Sequence, residues 1–478
     1  MNFQPKGLYV GGKWIPGAVG KDFVTINPAN GQKLANVPWA GEEEVNLAVA
    51  AAKHAFAQWS QVPPAQRAGA LETLASRILE CVDELALIDA YDSGNAICGM
   101  RGDVRAAAET IKYFAGLARE LKGETFSNGP NQLNYTVRQP YGVVAKINAF
   151  NHPLRFCAEK VAAPLIAGNS VVIKQPEQAP LSGLRFGELC EGLFPDGTIN
   201  ILTGDEVAGS ALVRHPDVPR IGFIGSVPTA RAIAREAADR LKHLSLELGG
   251  KNPIIIFADA DVDQAVLATL KGMNLNRQGQ SCSSTSRVFV HDSLHEQVVG
   301  KVTDAAALLP VGLPWKEGAE VGPIVSQAQF NRVMEFIASG KQQGARLTTG
   351  GGRPKDKRLA GGFFIEPTVF DEVTMDMRIG REEIFGPVIS VLRWNDFDTM
   401  LKDANDVEYG LTASIVTTDM NLAMRTADKI QAGYVWINST GRYLGAPYGG
   451  WKQSGMGREE SLDELLSYTQ IKNVNVAW

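Results

Sequence analysis

Of five cysteines in the chain, Cys282 has the setting of a reactive thiol. Cys81, Cys157 and Cys190 fall in amphipathic, helix-like stretches where a small thiol packs, and Cys98 sits ambiguously beside Gly99. Cys282 lies in the polar run R-Q-G-Q-S-C-S-S at residues 277–284, just before the strand-like S-R-V-F-V of residues 286–290. A thiol on a loop at the start of a strand is accessible, and backbone N–H groups beside it can stabilise a thiolate or an oxyanion. A second set of polar residues closes the apolar run V-I-K-Q-P-E at residues 172–177. There Lys174 can donate to ribose hydroxyls and Glu177 can accept from them. Alone, that spacing also suits a solvated ion pair on a surface turn. A further apolar run ends in Gly225-Ser226. No G-x-G-x-x-G fingerprint is found in this part of the chain, so that motif cannot carry a dinucleotide-binding claim.

Positioning these residues requires a layered fold. Residues 42–60, 64–92 and 102–121 carry the apolar spacing and composition of three long helices. From residue 134 the texture changes to short apolar strands at 143–147, 170–174, 198–202 and 220–224. Helical stretches near 155–167, 181–193 and 206–215 separate them. That alternation predicts a parallel sheet wound on both faces, with ligands at the carboxyl ends of its strands. A second α/β region begins near residue 253 and carries Cys282. The G-G-G-R-P-K-D-K stretch at 350–357 reads as a surface loop.

Composition narrows the function. A length of 478 residues suits two or three domains, and 45% hydrophobic with 21% charged residues is ordinary for a soluble enzyme. The net charge of −5 and the absence of Lys/Arg runs argue against a nucleic-acid partner. Scattered cysteines point to a reducing compartment, and the histidines show no metal-ligand spacing. The N-terminal M-N-F-Q-P-K lacks the hydrophobic core of a signal peptide, and no window is apolar enough to span a membrane. A cytoplasmic, soluble location is expected.

Six segments, in order, resemble the aldehyde dehydrogenase superfamily, nearly end to end. They are F-N-H-P-L at 150–154, K-Q-P-E-Q-A-P-L at 174–181, L-E-L-G-G-K at 246–251, G-Q-S-C at 279–282, E-E-I-F-G-P at 382–387 and P-Y-G-G-W-K-Q-S-G-M-G-R-E at 447–459. The resemblance implies a doubly wound parallel-sheet cofactor domain (1–121 and 141–249), an α/β catalytic domain (250–456) and a small β oligomerisation arm (122–140 and 457–478). It makes Cys282 the nucleophile that attacks the aldehyde carbonyl to give a thiohemiacetal. Asn151 and the Cys282 backbone N–H are the implied oxyanion donors. Hydride transfer to the nicotinamide leaves a thioester, and Glu247 activates the water that hydrolyses it. The glycines after Glu247 suggest an acid on a loop with freedom to move. Lys160 and Glu459 match a proton-relay pair, although a plain structural ion pair fits them too.

For the cofactor, the resemblance places Lys174 and Glu177 at the adenosine ribose, Gly225 and Ser226 near the pyrophosphate, and Leu248, Glu383 and Phe385 toward the nicotinamide. Glu177 would repel the 2′-phosphate of NADP, so NAD is the expected cofactor and NADP the alternative. Three departures stand out: Ala149-Phe150 before Asn151, Pro228 and Ala230 after Ser226, and Gln175 where the family has proline.

His152, Arg155, Phe156 and Glu159 are spaced to share one helix face, which in the family lines the aldehyde channel; Arg277, Arg442 and Tyr443 are further candidates. Such arginines would suit a polar or anionic semialdehyde. Alternatively each arginine pairs with an acid such as Glu159. A CoA-acylating enzyme is disfavoured by Glu247, and a non-catalytic relative by the presence of Cys282, Glu247 and Asn151 together. A homodimer or homotetramer is implied, with strand-like residues 134–138 and 474–476 in the arm.

Overall fold

A computed structural model describes residues 4–18 and 20–478; residues 1–3 of the N-terminal stretch read above, and residue 19, lie outside them. Eight strands form the first sheet. At its centre Ser170–Lys174, Val143–Ile147, Arg220–Ile224 and His243–Glu247 run parallel, with Ile199–Leu202 flanking. The whole of Val143–Ile147 and Ser170–Lys174 is buried, as strands covered by helices on both faces must be. Burying each Val or Ile here is worth roughly 1.5–3 kcal/mol, so Ile173→Ala would open a costly cavity under the site.

The expected helices form, with three adjustments. Residues 64–92 divide into Pro64–Glu80 and Val82–Ser93 around Cys81, and the third helix runs Ile97–Gly116, starting earlier than its composition suggests. The helix expected over 155–167 divides into Pro153–Glu159 and Ala162–Ile166. Pro164 explains that break, because it cannot donate to the carbonyl of Lys160 and its ring crowds that carbonyl. Lys160 therefore sits at a helix end.

The second sheet has seven strands, with Pro253–Ile256 and Arg287–His291 parallel at its middle. Cys282 lies just before Arg287–His291 enters this sheet, while Glu247 leaves the carboxyl end of the first. The two sheets thus present opposite edges to one place. Gly455–Met456, in the stretch expected to close the catalytic domain, adds an antiparallel edge to the first sheet at Leu246 and Glu247. Thr125–Phe126, Gln132–Pro140 and Thr469–Ala477 make a separate three-stranded antiparallel sheet, the longest pairing running from Thr469↔Pro140 to Ala477↔Gln132. Residues 350–356 form no helix or strand, and Lys357 opens the short 3-10 helix Lys357–Leu359. Among the described residues no helix is long and apolar enough to cross a membrane.

Candidate active site

The carboxyl edge of the first sheet is set by register. Lys174 pairs with Ile147, Ile147 with Phe223, and Ile224 with Glu247, so the loops after these strands leave the sheet together. Asn151 follows Val143–Ile147, Gly225-Ser226 follow Arg220–Ile224, and Glu247 is itself the last residue of His243–Glu247. The expectation of a mobile loop acid is thereby corrected. Glu247 is buried and anchored in a strand, and the glycines after it serve a different purpose. A Cβ at Gly249 would lie 2.0 Å from the Glu383 carboxylate, and the Gly250 N–H donates to Glu383 at 3.0 Å. The glycines make room for the L-E-L-G-G-K and E-E-I-F-G-P segments to meet.

The nucleophile loop is shaped from both sides. Gln278 and Gly279 adopt left-handed backbone, and a Cβ at Gly279 would fall 2.3 Å from the Gly386 carbonyl. Asn252, buried and not singled out from the sequence, donates to the carbonyls of Cys282 (2.7 Å) and Ser284 (2.9 Å) and accepts from the Thr412 N–H (3.0 Å). Its place directly after L-E-L-G-G-K was the available signal. The loop is less open than expected, because Cys282 is only partly exposed.

Two cavities meet at Cys282 and Glu247. One, of about 380 Å³, is lined by Phe150, Asn151, Gly225, Ser226, Leu248 and Glu383, with Phe385 beside them. The other, of about 370 Å³, is lined by His152, Arg155, Phe156, Arg277, Arg442 and Tyr448, and it also reaches Lys160 and Glu459. Most of the expected residues are therefore brought together. Lys174 and Glu177 line neither cavity, and nor do two residues expected at the channel: Glu159 is buried behind Arg155, and Tyr443 is 77% exposed outside the channel. Glu159 and Tyr443 are corrected as channel-lining residues. Glu159 points back along its helix to hold Arg155, and Tyr443 precedes the turn that carries the chain inward to Tyr448.

Asn151 is fixed through its backbone, whose carbonyl accepts from Asn95 Nδ2 at 3.0 Å, while no hydrogen bond is recorded for its side-chain amide among the described residues. The Cys282 N–H is likewise uncommitted there. These two donors are available to a new oxyanion. Burial, followed by the nearby Glu459 charge, pushes the Glu247 carboxyl well above its usual range, and its Oε1 has no hydrogen-bond partner. Burial also raises the Cys282 thiol, against a lowering influence from Arg442. Both groups are thus held toward their protonated forms. Behind Glu247, Lys160 bridges Glu159 at 3.1 Å and Glu459 at 2.8 Å. Burial opposes the charge of Glu459, but Lys160 and Lys146 hold it ionised.

Each channel arginine has an acid partner. Arg155 Nε binds Glu159 at 2.9 Å, Arg277 binds Asp103 at 2.6 Å, and Arg442 binds Glu460 at 2.7 Å. Asp103 also accepts from His152 Nδ1 at 2.7 Å. Burial lowers the His152 imidazole to about 4, so the ring is neutral and donates its Nδ1 proton. Burial opposes the charge on Asp103, yet Arg277 and His152 hold it well below the usual carboxylate range. Asp103 carried no motif; only its place inside the amphipathic Ile97–Gly116 helix, as a buried acid, could have flagged it.

On the cofactor side, Lys174 is 9% exposed, with no hydrogen bond or ion pair recorded for its ammonium among the described residues. Burial lowers its pKa, and such a group suits a ligand better than a surface ion pair. Glu177 is exposed and accepts from Gln178 at 3.0 Å. Ser226 caps the helix Val227–Ala238, and Pro228 falls in its first turn, where a missing N–H costs nothing. A mostly apolar groove that reaches a helix N-terminus fits a dinucleotide.

Known proteins resemble this chain along its length. The profile of the aldehyde dehydrogenase family matches residues 14–474. Aldehyde dehydrogenase tropH of Talaromyces stipitatus is 45% identical, over 98% of this chain and 93% of that protein. A hydroxyisobutyraldehyde dehydrogenase of Mycolicibacterium austroafricanum is 39% identical, over 99% of this chain and 94% of its own. The NAD+ complex of an aldehyde dehydrogenase from Bacillus cereus superposes with a TM-score of 0.96 at 39% identity, covering 99% of this chain and 96% of that one. The chain belongs to the aldehyde dehydrogenase family.

Proposed function

We propose that this enzyme oxidises a polar or anionic aldehyde to its carboxylic acid with NAD, using Cys282 as nucleophile and Glu247 as base. The observation that carries the reading is the meeting of two cavities at these side chains. Cys282 attacks the carbonyl from between the cavities, and the Asn151 amide and Cys282 N–H take the developing oxyanion. NAD would supply the hydride acceptor, and Lys174, Glu177, Ser226, Leu248, Glu383 and Phe385 are the residues that would hold it along its length. Glu247 then deprotonates the water that cleaves the Cys282 thioester, passing its proton toward Glu459 and Lys160. NAD is preferred because Glu177 stands near the lysine that would meet the ribose, and NADP is the weaker alternative. The Bacillus cereus NAD+ complex is in keeping with this.

Three guanidinium groups against Asp103, Glu159 and Glu460 leave the channel polar but close to neutral. Its arginines offer N–H donors more than net charge. Arg155 Nη1 and Nη2 stand 3.8 and 3.9 Å from Asp103 and Glu460, too far to be spent on them. Such donors recognise a hydroxyl or a carboxylate, and the Mycolicibacterium relative is named for a hydroxyaldehyde. The arm formed by Gln132–Pro140 and Thr469–Ala477 is the proposed contact for a homodimer or homotetramer. An NADH-absorbance panel tests the substrate reading: succinic semialdehyde and a short hydroxyaldehyde should exceed hexanal in kcat/KM by tenfold or more. Hexanal as the best substrate would overturn it.

A further inference from the structure

Tyr448 stands where the family's motif has phenylalanine, and its hydroxyl is 3.9 Å from Cys282 Sγ. No other hydrogen-bonding side chain is recorded for that sulfur among the described residues. The ring is 4% exposed and held by its own backbone, whose N–H and C=O pair with Glu459 at 3.0 and 2.7 Å. On its face lies the Arg442 guanidinium, 3.7 Å from the ring centroid and anchored by Glu460 at 2.7 Å. The backbone pairing fixes where the ring starts, and swinging the Tyr448 hydroxyl away from the sulfur would break the Arg442 stack.

We propose that the Tyr448 hydroxyl, backed by the Arg442 guanidinium on its ring, is the donor that stabilises the Cys282 thiolate. A phenol donates to an anionic sulfur far more strongly than to a thiol, so loss of the thiol proton draws in a contact that is long in the resting state. A cation on the ring face makes the phenol O–H a better donor. Other charged groups facing the sulfur act against ionisation or lie farther back. Glu247 faces it from the end of its strand and Glu383 from the E-E-I-F-G-P loop, both raising the thiol, while Arg442 and Tyr448 lower it. Across the channel, Arg155 and Arg277 face Glu159 and Asp103, and Lys160 faces Glu459. Tyr448 and Arg442 are thus a built-in counterweight to burial. They ease loss of the thiol proton, which burial makes harder.

The proposal rests on Cys282 being the nucleophile, so its test uses no aldehyde. Iodoacetamide alkylates only the thiolate, forming the S–C bond as iodide leaves, and the adduct on the Cys282 peptide is followed by mass spectrometry from pH 6 to pH 10. In Tyr448→Phe, whose ring fills the same buried space, the midpoint should move up by about one pH unit, with alkylation about tenfold slower below both midpoints. Arg442→Gln should move it in the same direction. An unchanged midpoint in Tyr448→Phe would overturn the proposal, even with a raised KM for polar aldehydes, since the hydroxyl would then act on substrate alone. A Tyr448→Phe enzyme that alkylates faster at pH 7 would overturn it as well.

Discussion

The two cavities that meet at Cys282 are built by different rules. The cofactor side is largely apolar and shaped by glycines that allow close approach, and on the same sheet edge Lys174 is a buried ammonium with no recorded partner among the described residues. The aldehyde side is crowded with charge, yet each arginine is matched to an acid. An unpartnered buried charge is costly and waits for a ligand; a matched network costs less and sets the shape and polarity of a channel. The comparison teaches that unspent donors mark recognition more reliably than a count of arginines.

The largest effect should come at the junction itself. Cys282→Ala should reduce NADH formation on the order of 10⁴-fold or more while leaving NAD binding, read by fluorescence titration, unchanged. Next is the matched side. Asp103→Asn strips a buried carboxylate from Arg277 and His152, so thermal unfolding should show a loss of about 3 kcal/mol. The freed Arg277 guanidinium should also raise the kcat/KM ratio of succinic semialdehyde to hexanal; a falling ratio would mean that Arg277 does not face the substrate. On the unmatched side, Glu177→Gln removes the charge opposing a 2′-phosphate, and kcat/KM with NADP should rise about tenfold relative to NAD.

A pH profile sharpens the junction further. Cys282 and Glu247 are both acids held above their ordinary pKa, chiefly by burial. Each is active when deprotonated, so the active fraction grows as pH rises through the raised values. Stopped-flow turnover should therefore climb from neutral into the alkaline range. Activity that peaks near pH 5 would contradict the assignment of both groups.

The cofactor side was legible because its determinants are local: a strand end, a glycine pair and a helix cap each leave a short, ordered trace in sequence. The meeting of Cys282, Glu247 and Asn151 at one cavity was legible for the same reason. Asp103 was not, because its role depends on contacts to His152 and Arg277, 49 and 174 positions away. Arg155, Arg277 and Arg442 line one cavity, but the acid partners Asp103 and Glu460 arrive from other elements. Glu159 misled because sharing a helix face with Arg155 at i,i+4 makes it that residue's partner and draws it away from the channel. The helix break at Lys160 was available in principle, from Pro164 four residues on.

The central claim is that the substrate passes through a covalent bond to Cys282 that only Glu247 can release. Rapid mixing of Glu247→Gln with aldehyde and NAD, followed by intact-protein and peptide mass spectrometry, tests it directly. The account predicts a burst of one NADH per subunit, an acyl adduct on the Cys282 peptide, and steady turnover lowered about 10²- to 10⁴-fold. Wild-type steady turnover in Glu247→Gln, or an adduct on any other residue, would contradict it.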